Sequence, residues 1–186
     1  MRKPILTFLM LPGLVLLIGL ACQLSGGPTP PRNVTVSTAE AQSLNKTVQA
    51  AKPDPKSGKI SITVTESQIT SYVVTNLRNN YEPILLDPVV IYQPGQVEIY
   101  GTIQGDSIKA NGRVIFTVKI DNQGKPQLDI VEANFGPIPV PTGLLTNLTT
   151  AVDRSITDSM KEYSTDYRLE SITLASGTAT LTIAKK

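Results

Sequence analysis

Any catalysis by this chain would have to come from its carboxylates, because the sequence has no histidine and only one cysteine. A Ser-His or Cys-His nucleophile pair needs an imidazole base, and zinc and most catalytic transition-metal sites need imidazole or thiolate ligands. Paired carboxylates in a cleft remain as a catalytic device. The candidates lie on or just after one predicted helix and have the spacing of a solvated face: Asp153, Asp158, Glu162 and Asp166. We therefore predict that the protein is not an enzyme and has no catalytic residues, metal site or cofactor.

The charge of the chain gives no reason to expect nucleic-acid binding. The sequence has 17 basic and 15 acidic residues, and Arg2 and Lys3 stand at its N-terminus. Without residues 1–21, basic and acidic residues are equal in number. Nucleic-acid binding depends on clustered Lys and Arg that neutralise phosphates, and beyond residue 3 no run of more than two basic residues occurs. No nucleic-acid partner is predicted.

The N-terminal segment has the pattern of a secretory signal. Two basic residues precede an apolar stretch over residues 5–21, which is short for a membrane span and is interrupted by Pro12-Gly13. The stretch ends in Gly19-Leu20-Ala21-Cys22, which resembles a bacterial lipobox, although Gly19 replaces the usual aliphatic residue. In such a motif the cysteine thiol receives a diacylglyceryl group before cleavage. The alternative is an uncleaved anchor helix with an unmodified Cys22.

The lipobox predicts an extracytoplasmic lipoprotein. Residues 1–21 would be the signal peptide, and Cys22 would be the lipid anchor. Two or more acyl chains hold a protein firmly in a bilayer, whereas one holds it only marginally. The protein is expected on the outer face of the cytoplasmic membrane, or at the outer membrane in a two-membrane bacterium.

Residues 22–57 are predicted to carry the lipidated cysteine and a flexible tether. This segment is rich in Pro, Ser, Thr and Ala and has no strand pattern. Ser37 and Glu40 have the spacing of a capping box, and apolar residues follow at helical intervals. The pattern predicts a short helix that ends before Pro53 and either docks on the following domain or frays.

The pattern of residues 58–186 predicts one α+β domain. Alternating apolar residues indicate a first strand near Ile60–Val64, and Thr65 and Gln68 form a capping box before a helix. Strands are predicted at roughly 84–92, 96–104, 107–121 and 126–135. A long helix capped by Thr142 and a hairpin of 167–175 with 178–184 complete the domain.

The sequence of the meander and of the segment after it predicts three further details. A two-residue turn at Gly105-Asp106 predicts that Gly101 lies opposite Ala110 and that Ile99 lies opposite Gly112. A change in the apolar register near Ile130 predicts a β-bulge. The proline-rich segment 136–141 cannot be a central strand, because its prolines lack amide hydrogens, so an extended connection is predicted.

Several segments of the domain resemble the LmeA-type phospholipid-binding family of exported bacterial proteins, and more loosely the tubular lipid-binding (TULIP) superfamily. The similar segments are Ile62–Ile69, Val97–Gly101, Gly136–Pro141 with the leucines at 144 and 145, and the final hairpin. The resemblance implies a curved antiparallel sheet wrapped around a long helix, with a shorter helix beside it. Acyl chains of a phospholipid or another lipid would lie between the sheet and the long helix.

The apolar residues leave two functional alternatives open. In the first, the protein binds or shuttles an acyl lipid in a groove lined by apolar side chains: Ile69, Val73, Ile99, Val114, Phe116, Leu145, Leu148, Val152 and Ile156. In the second, the core is dry and tightly packed, and the domain is a structural module of the cell envelope. The proline-rich segment 136–141 would then be the surface that docks on a protein partner.

Overall fold

The structure is a computed structural model, and it describes residues 26–80, 85–104, 109–136, 138–139 and 167–186. Two helices lie in these ranges: α1 (Thr38–Ala50) and α2 (Glu66–Asn80). The strands are β1 (Ile60–Thr65), β2 (Leu85–Gln93), β3 (Gln96–Gln104), β4 (Lys109–Ile120), β5 (Pro126–Phe135), β6 (Ile138–Pro139), β7 (Tyr167–Ala175) and β8 (Thr178–Lys185).

Both predicted capping boxes begin a helix where the sequence places them. Ser37 is the N-cap of α1, and its hydroxyl accepts a hydrogen bond from the backbone N–H of Glu40 at 3.1 Å. At α2 the box is reciprocal: Thr65 Oγ1 accepts from the N–H of Gln68 at 3.2 Å, and Gln68 Oε1 accepts from the N–H of Thr65 at 3.0 Å. These contacts satisfy amide groups that a helix N-terminus otherwise leaves unpaired.

The strands form two antiparallel sheets. One has three strands in the order β1-β8-β7, and the other has five in the order β2-β3-β4-β5-β6. The predicted α+β class is confirmed. The described strands are divided between two sheets, whereas the sequence led us to expect one curved sheet, and the predicted long helix from Thr142 lies outside the described residues.

The predicted pairing of β3 with β4 is wrong by two residues. Gln104 pairs with Lys109, so the connection comprises residues 105–108 instead of Gly105-Asp106 alone. As a result Gly101 lies opposite Gly112, and Ile99 lies opposite Val114. A shift of two residues keeps each side chain on its predicted face, because the side chains of a strand alternate with a period of two.

The predicted bulge near Ile130 is confirmed. Ile115 pairs with Glu132 and Phe116 pairs with Ile130, which leaves Val131 as the extra residue of β5. Val131 is 62% exposed, the highest value among the large apolar residues that are exposed in the described chain. The bulge allows apolar residues on both sides of it to face the same way although their sequence register changes.

Two buried apolar clusters form the core of the described chain. The first contains Val90, Tyr92 and Val97 of the five-stranded sheet together with Ala179 of β8. The second joins α1 to β1 through Leu44, Ile62 and Val64. The side chain of Ile69 on α2 packs against both clusters, so α2 connects the two sheets.

The packed domain begins earlier than residue 58. Ala41 and Leu44 of α1 are buried, and α1 lies against α2 and β1. Of the two alternatives for this helix, the structure has the docked one. Residues 26–37 also contact the domain, as described below, so the predicted boundary between tether and domain is too late in the sequence.

Several predicted features lie outside the described residues. These are the signal peptide at 1–21, the lipidation site Cys22, the four candidate carboxylates of the long helix, and Leu145, Leu148, Val152 and Ile156 of the proposed groove. Within the part of the chain that the structure describes, neither helix has the length and apolar character needed to cross a bilayer.

Candidate functional site

One face of the five-stranded sheet is apolar, and we call it the inner face. Strand alternation and the pairing register place these residues on it: Val90, Tyr92, Val97, Ile99, Gly101, Ala110, Gly112, Val114, Phe116, Val118, Leu128, Ile130, Ala133 and Phe135. None of these residues carries a charge. The Tyr92 hydroxyl is the one polar side-chain group among them, and burial raises the pKa of Tyr92, with a smaller contribution from the charge of Glu66.

The structure brings together three of the five predicted groove residues that it describes. Ile69, Ile99 and Phe116 all pack against the cluster of Val90, Tyr92, Val97 and Ala179. Val114 lies directly opposite Ile99 on the neighbouring strand and is half-buried. Val73 is half-buried one helical turn after Ile69 on α2.

Along β3 and β4 the inner face changes from large side chains to a pair of glycines. At one end, which we call the core end, Tyr92 and Val97 belong to the first buried cluster, and Phe116 of β4 and Leu174 of β7 pack against that cluster. At the other, which we call the glycine end, Gly101 and Gly112 pair directly across β3 and β4. The two central strands therefore contribute backbone without side chains at this pair. Small residues at such a position permit a close approach by another group or a sharper bend of the sheet.

The opposite, outer face of the same sheet carries a network of hydrogen-bonded polar groups. Glu98 is 7% exposed, and its carboxylate accepts from Tyr100 Oη at 2.5 Å and from Gln96 Nε2 at 3.0 Å. Arg113 Nη2 donates to Glu132 Oε1 at 2.6 Å, and Asn134 Nδ2 donates to the same oxygen.

The pKa shifts in this network favour the charge states that its hydrogen bonds need. The hydrogen bond from Arg113, followed by that from Asn134, lowers the pKa of Glu132. Burial raises the pKa of the Tyr100 hydroxyl, and the hydrogen bond to Glu98 adds to this. Tyr100 therefore remains a donor at neutral pH, and the carboxylates of Glu98 and Glu132 each accept two hydrogen bonds. The geometry is that of a structural network.

An extended segment, residues 26–37, lies against the domain, and we call it the strap. From Pro28 to Thr35 its residues alternate between half-buried and exposed, so that Pro28, Pro30, Arg32 and Val34 face the domain. At its start, a Cβ on Gly27 would lie 2.7 Å from the carbonyl oxygen of Asn111, so only glycine fits. The strap thus begins beside β4 at the glycine end of the five-stranded sheet.

The strap is attached to the domain through Arg32. Its guanidinium donates to both carboxylate oxygens of Glu66, at 3.0 Å from Nε and 2.5 Å from Nη2, and to the carbonyl of Tyr92 at 3.0 Å. Glu66 begins α2 and is 8% exposed, and it also accepts from the N–H of Tyr92 at 2.7 Å. At the end of the strap, the N–H of Ser37 donates to Ser71 Oγ at 3.1 Å.

Sequence reasoning missed the strap and the pairing of Arg32 with Glu66. A signal was present, because Arg32 is the single charged residue between Cys22 and Glu40. The surrounding segment of prolines and β-branched residues also favours an extended chain. The sequence alone does not identify a carboxylate partner for this cation.

A pocket of about 210 Å³ lies between the strap and the outer face. Its lining residues are Pro28, Pro30, Asp87, Tyr100, Gly101, Thr102 and Asn111. Its volume is below the roughly 300 Å³ at which small-molecule sites usually begin, so we assign no ligand to it. Among the residues that the structure describes, no group of three or more His, Cys, Asp or Glu side chains is placed to hold a metal ion.

The chain was also compared with known proteins. A scan of protein-family models and a search of curated proteins find no match to it. The similarity to the LmeA-type family accordingly rests on the sequence segments quoted above.

Proposed function

We propose that the protein is a lipoprotein, anchored through Cys22, that binds phospholipid or another acyl lipid along the inner face of its five-stranded sheet. The observation that carries this proposal is the inner face itself. It is uncharged, it is formed by aliphatic and aromatic residues across β2 to β5, and it has a glycine pair at one end. The lipobox at Cys22 and the resemblance to a phospholipid-binding family support the same function.

An uncharged aliphatic face suits a carrier of acyl chains. Exposure of a sixteen-carbon chain to water costs on the order of 12 kcal/mol, at about 0.8 kcal/mol per CH₂, so a carrier has to enclose the chain. A carrier that held lipid much more tightly than the bilayer does would not release it. A surface with few polar groups satisfies both conditions, and it predicts weak selectivity among acyl lipids.

Native mass spectrometry of the mature chain without its anchor, residues 23–186, tests the proposal. This chain keeps the strap and α1, which belong to the packed domain. We expect a protein species with the added mass of a phospholipid or fatty acid. A protein that is free of lipid and also takes up none from phospholipid vesicles or dispersed fatty acid would refute lipid binding.

A matched pair of variants locates the site. Gly101→Leu adds an aliphatic side chain to the inner face of β3 at the glycine pair, and we expect it to lower lipid occupancy by filling that space. Thr117→Leu adds a side chain of the same kind to the outer face of β4 and should leave occupancy unchanged. Circular dichroism and urea unfolding of both variants establish that each is folded. Equal occupancy in Gly101→Leu and the parent would place the lipid elsewhere.

A second function is favoured by the packing at the core end. Ile69, Ile99 and Phe116 contact a filled cluster, which is what a dry structural module needs. In addition, β6 is an edge strand of the five-stranded sheet, formed by Ile138 and Pro139. In this alternative the segment 136–141 docks on an envelope protein by strand addition. A single stoichiometric partner that is lost in Ile138→Asp, from a protein that carries no lipid, would support it.

A further inference from the structure

The strap fixes where the chain leaves the domain on its way to Cys22. Gly27 lies against Asn111 and Gly136, and the carbonyl oxygen of Gly26 would be 3.2 Å from a Cβ on Gly136. Asn111 is next to Gly112 in β4, and Gly136 follows the last residue of β5. The exit point is therefore at the glycine end of the five-stranded sheet. From there the strap runs to Arg32, whose hydrogen bonds to Glu66 and to the carbonyl of Tyr92 attach it near the core end.

The distance between the exit point and the predicted anchor is short. Three residues lie between Cys22 and Gly26, and the four Cα–Cα steps of a fully extended chain span at most about 14 Å. A flexible tether over all of residues 22–57 would instead have a root-mean-square length on the order of 30 Å. Docking of the strap and α1 therefore removes most of the length that the sequence suggested for the tether.

We infer that the strap orients the domain, so that the glycine end of the inner face is held against the bilayer that contains the acyl chains of Cys22. The inference rests on the proposed function, because it needs both the lipid anchor and an inner face that takes up lipid. The partner of this surface is the lipid bilayer. The twelve residues of β4 span about 40 Å, at roughly 3.3 Å per residue, so the core end can stand well away from the membrane.

This orientation gives lipid exchange a direction. An acyl chain that leaves the bilayer beside the glycine end passes Ala110 and the glycine pair before it reaches the larger side chains of Ile99, Val114 and Phe116. The route keeps few methylenes in water at any moment, and each exposed CH₂ would cost about 0.8 kcal/mol. A domain on a long free tether would have no fixed entry end.

Quenching by lipid headgroups tests the orientation in the full, acylated protein. A fluorophore is attached to Gln104→Cys, at the end of β3 beside the glycine pair, or to Gln123→Cys, in the exposed turn between β4 and β5 at the far end. The thiol of Cys22 is blocked by acylation, so each variant has one reactive cysteine. Each protein is reconstituted into phosphatidylcholine–phosphatidylglycerol vesicles that contain a short-range quencher on a fraction of the headgroups.

We expect several-fold stronger quenching at position 104 than at position 123. Insertion of a flexible Gly-Ser segment of about 20 residues between Ser25 and Gly26, with a root-mean-square length near 25 Å, should abolish the difference. Arg32→Ala should reduce it, and Lys46→Ala, which removes an exposed cation of α1, should not. Equal quenching at both positions in the parent protein would overturn the orientation, as would a difference that survives the insertion.

The outcomes separate this inference from the proposed function. A lipid-loaded mature chain with equal quenching at both positions leaves the lipid carrier in place and removes its orientation. Preferential quenching of position 104 in a protein that carries no lipid shows an oriented domain and refutes lipid binding. A protein with an unmodified Cys22 by intact-mass analysis refutes the anchor, and the orientation fails with it.

Discussion

Replacement of Arg32 by alanine tests the attachment on which the strap depends. In the parent chain the carboxylate of Glu66 accepts two hydrogen bonds from Arg32 and one from the N–H of Tyr92. Because Glu66 is 8% exposed, water cannot fully replace the guanidinium. Arg32→Ala therefore leaves a nearly buried carboxylate with one of its three donors, and it also leaves the carbonyl of Tyr92 without its hydrogen bond from Arg32.

The expected cost lies between two measured classes of ion pair. Removal of one partner of a fully buried pair costs about 3–5 kcal/mol, whereas exposed pairs are worth about 0.2–1 kcal/mol. The side chain of Arg32 is 35% exposed and that of Glu66 is 10% exposed, so solvent screens the pair in part. We expect Arg32→Ala to lower the free energy of unfolding by about 2 kcal/mol, or roughly 4–8 °C in Tm for a chain of this size.

Urea unfolding of the mature chain measures this cost, and Lys59→Ala provides the control. Lys59 and Glu170 also form an ion pair between distant segments, at 2.7 Å, but their side chains are 45% and 36% exposed. The control should cost less than about 1 kcal/mol. Adding Glu66→Gln to Arg32→Ala should recover part of the loss, because it removes the uncompensated charge. Equal costs for Arg32→Ala and Lys59→Ala, or no recovery in the double variant, would refute the reasoning.

Three further predictions test the core, a turn and the polar network. Ile91→Ala, at a side chain that is 0% exposed, should cost about 3 kcal/mol in urea unfolding, whereas Val131→Ala at the exposed bulge should cost less than about 0.5 kcal/mol. Gly124→Ala should be more destabilising than Gly95→Ala, since both glycines have φ +77° but only a Cβ on Gly124 meets other atoms, at 2.8 Å. The pKa of Glu132 is lowered in the folded protein, so its ionised form stabilises the fold above the ordinary carboxyl pKa. This stabilisation is lost as the pH falls through the lowered pKa. The free energy of unfolding of Glu132→Gln should therefore fall less than that of the parent between about pH 5 and pH 2.

Local patterns in the sequence predicted local structure closely. The capping boxes at Ser37 and Thr65 begin α1 and α2, and the strand limits of β2 to β5 agree within two residues with those of the structure. The bulge near Ile130 was also predictable, because an apolar alternation that changes register has to insert a residue to keep one face buried. Each of these features is determined by residues within a few positions of one another.

Features that depend on distant contacts were not predictable in the same way. The pairing of Gly101 with Gly112 depends on a four-residue connection, and its sequence fits a two-residue turn equally well. Ile69, Ile99 and Phe116 pack against one cluster, since they lie on one helix and two adjacent strands whose apolar faces have to meet. The contact between Arg32 and Glu66 joins residues that are 34 positions apart, and neither residue belongs to a periodic pattern that would identify the other.

The two faces of the five-stranded sheet are covered by different parts of the chain. The inner face is covered in part by apolar side chains from α2, β7 and β8. The outer face carries Glu98 and Tyr100, which are buried, and buried polar groups need a cover whose own polar groups are satisfied. The strap provides such a cover, because it is extended and directs its one cation to Glu66. Since the strap continues toward Cys22, the segment that covers the outer face also limits the reach of the anchor. We therefore expect that a substitution that releases the strap will expose the outer face and lengthen the tether together, so that stability and membrane orientation change in the same variants.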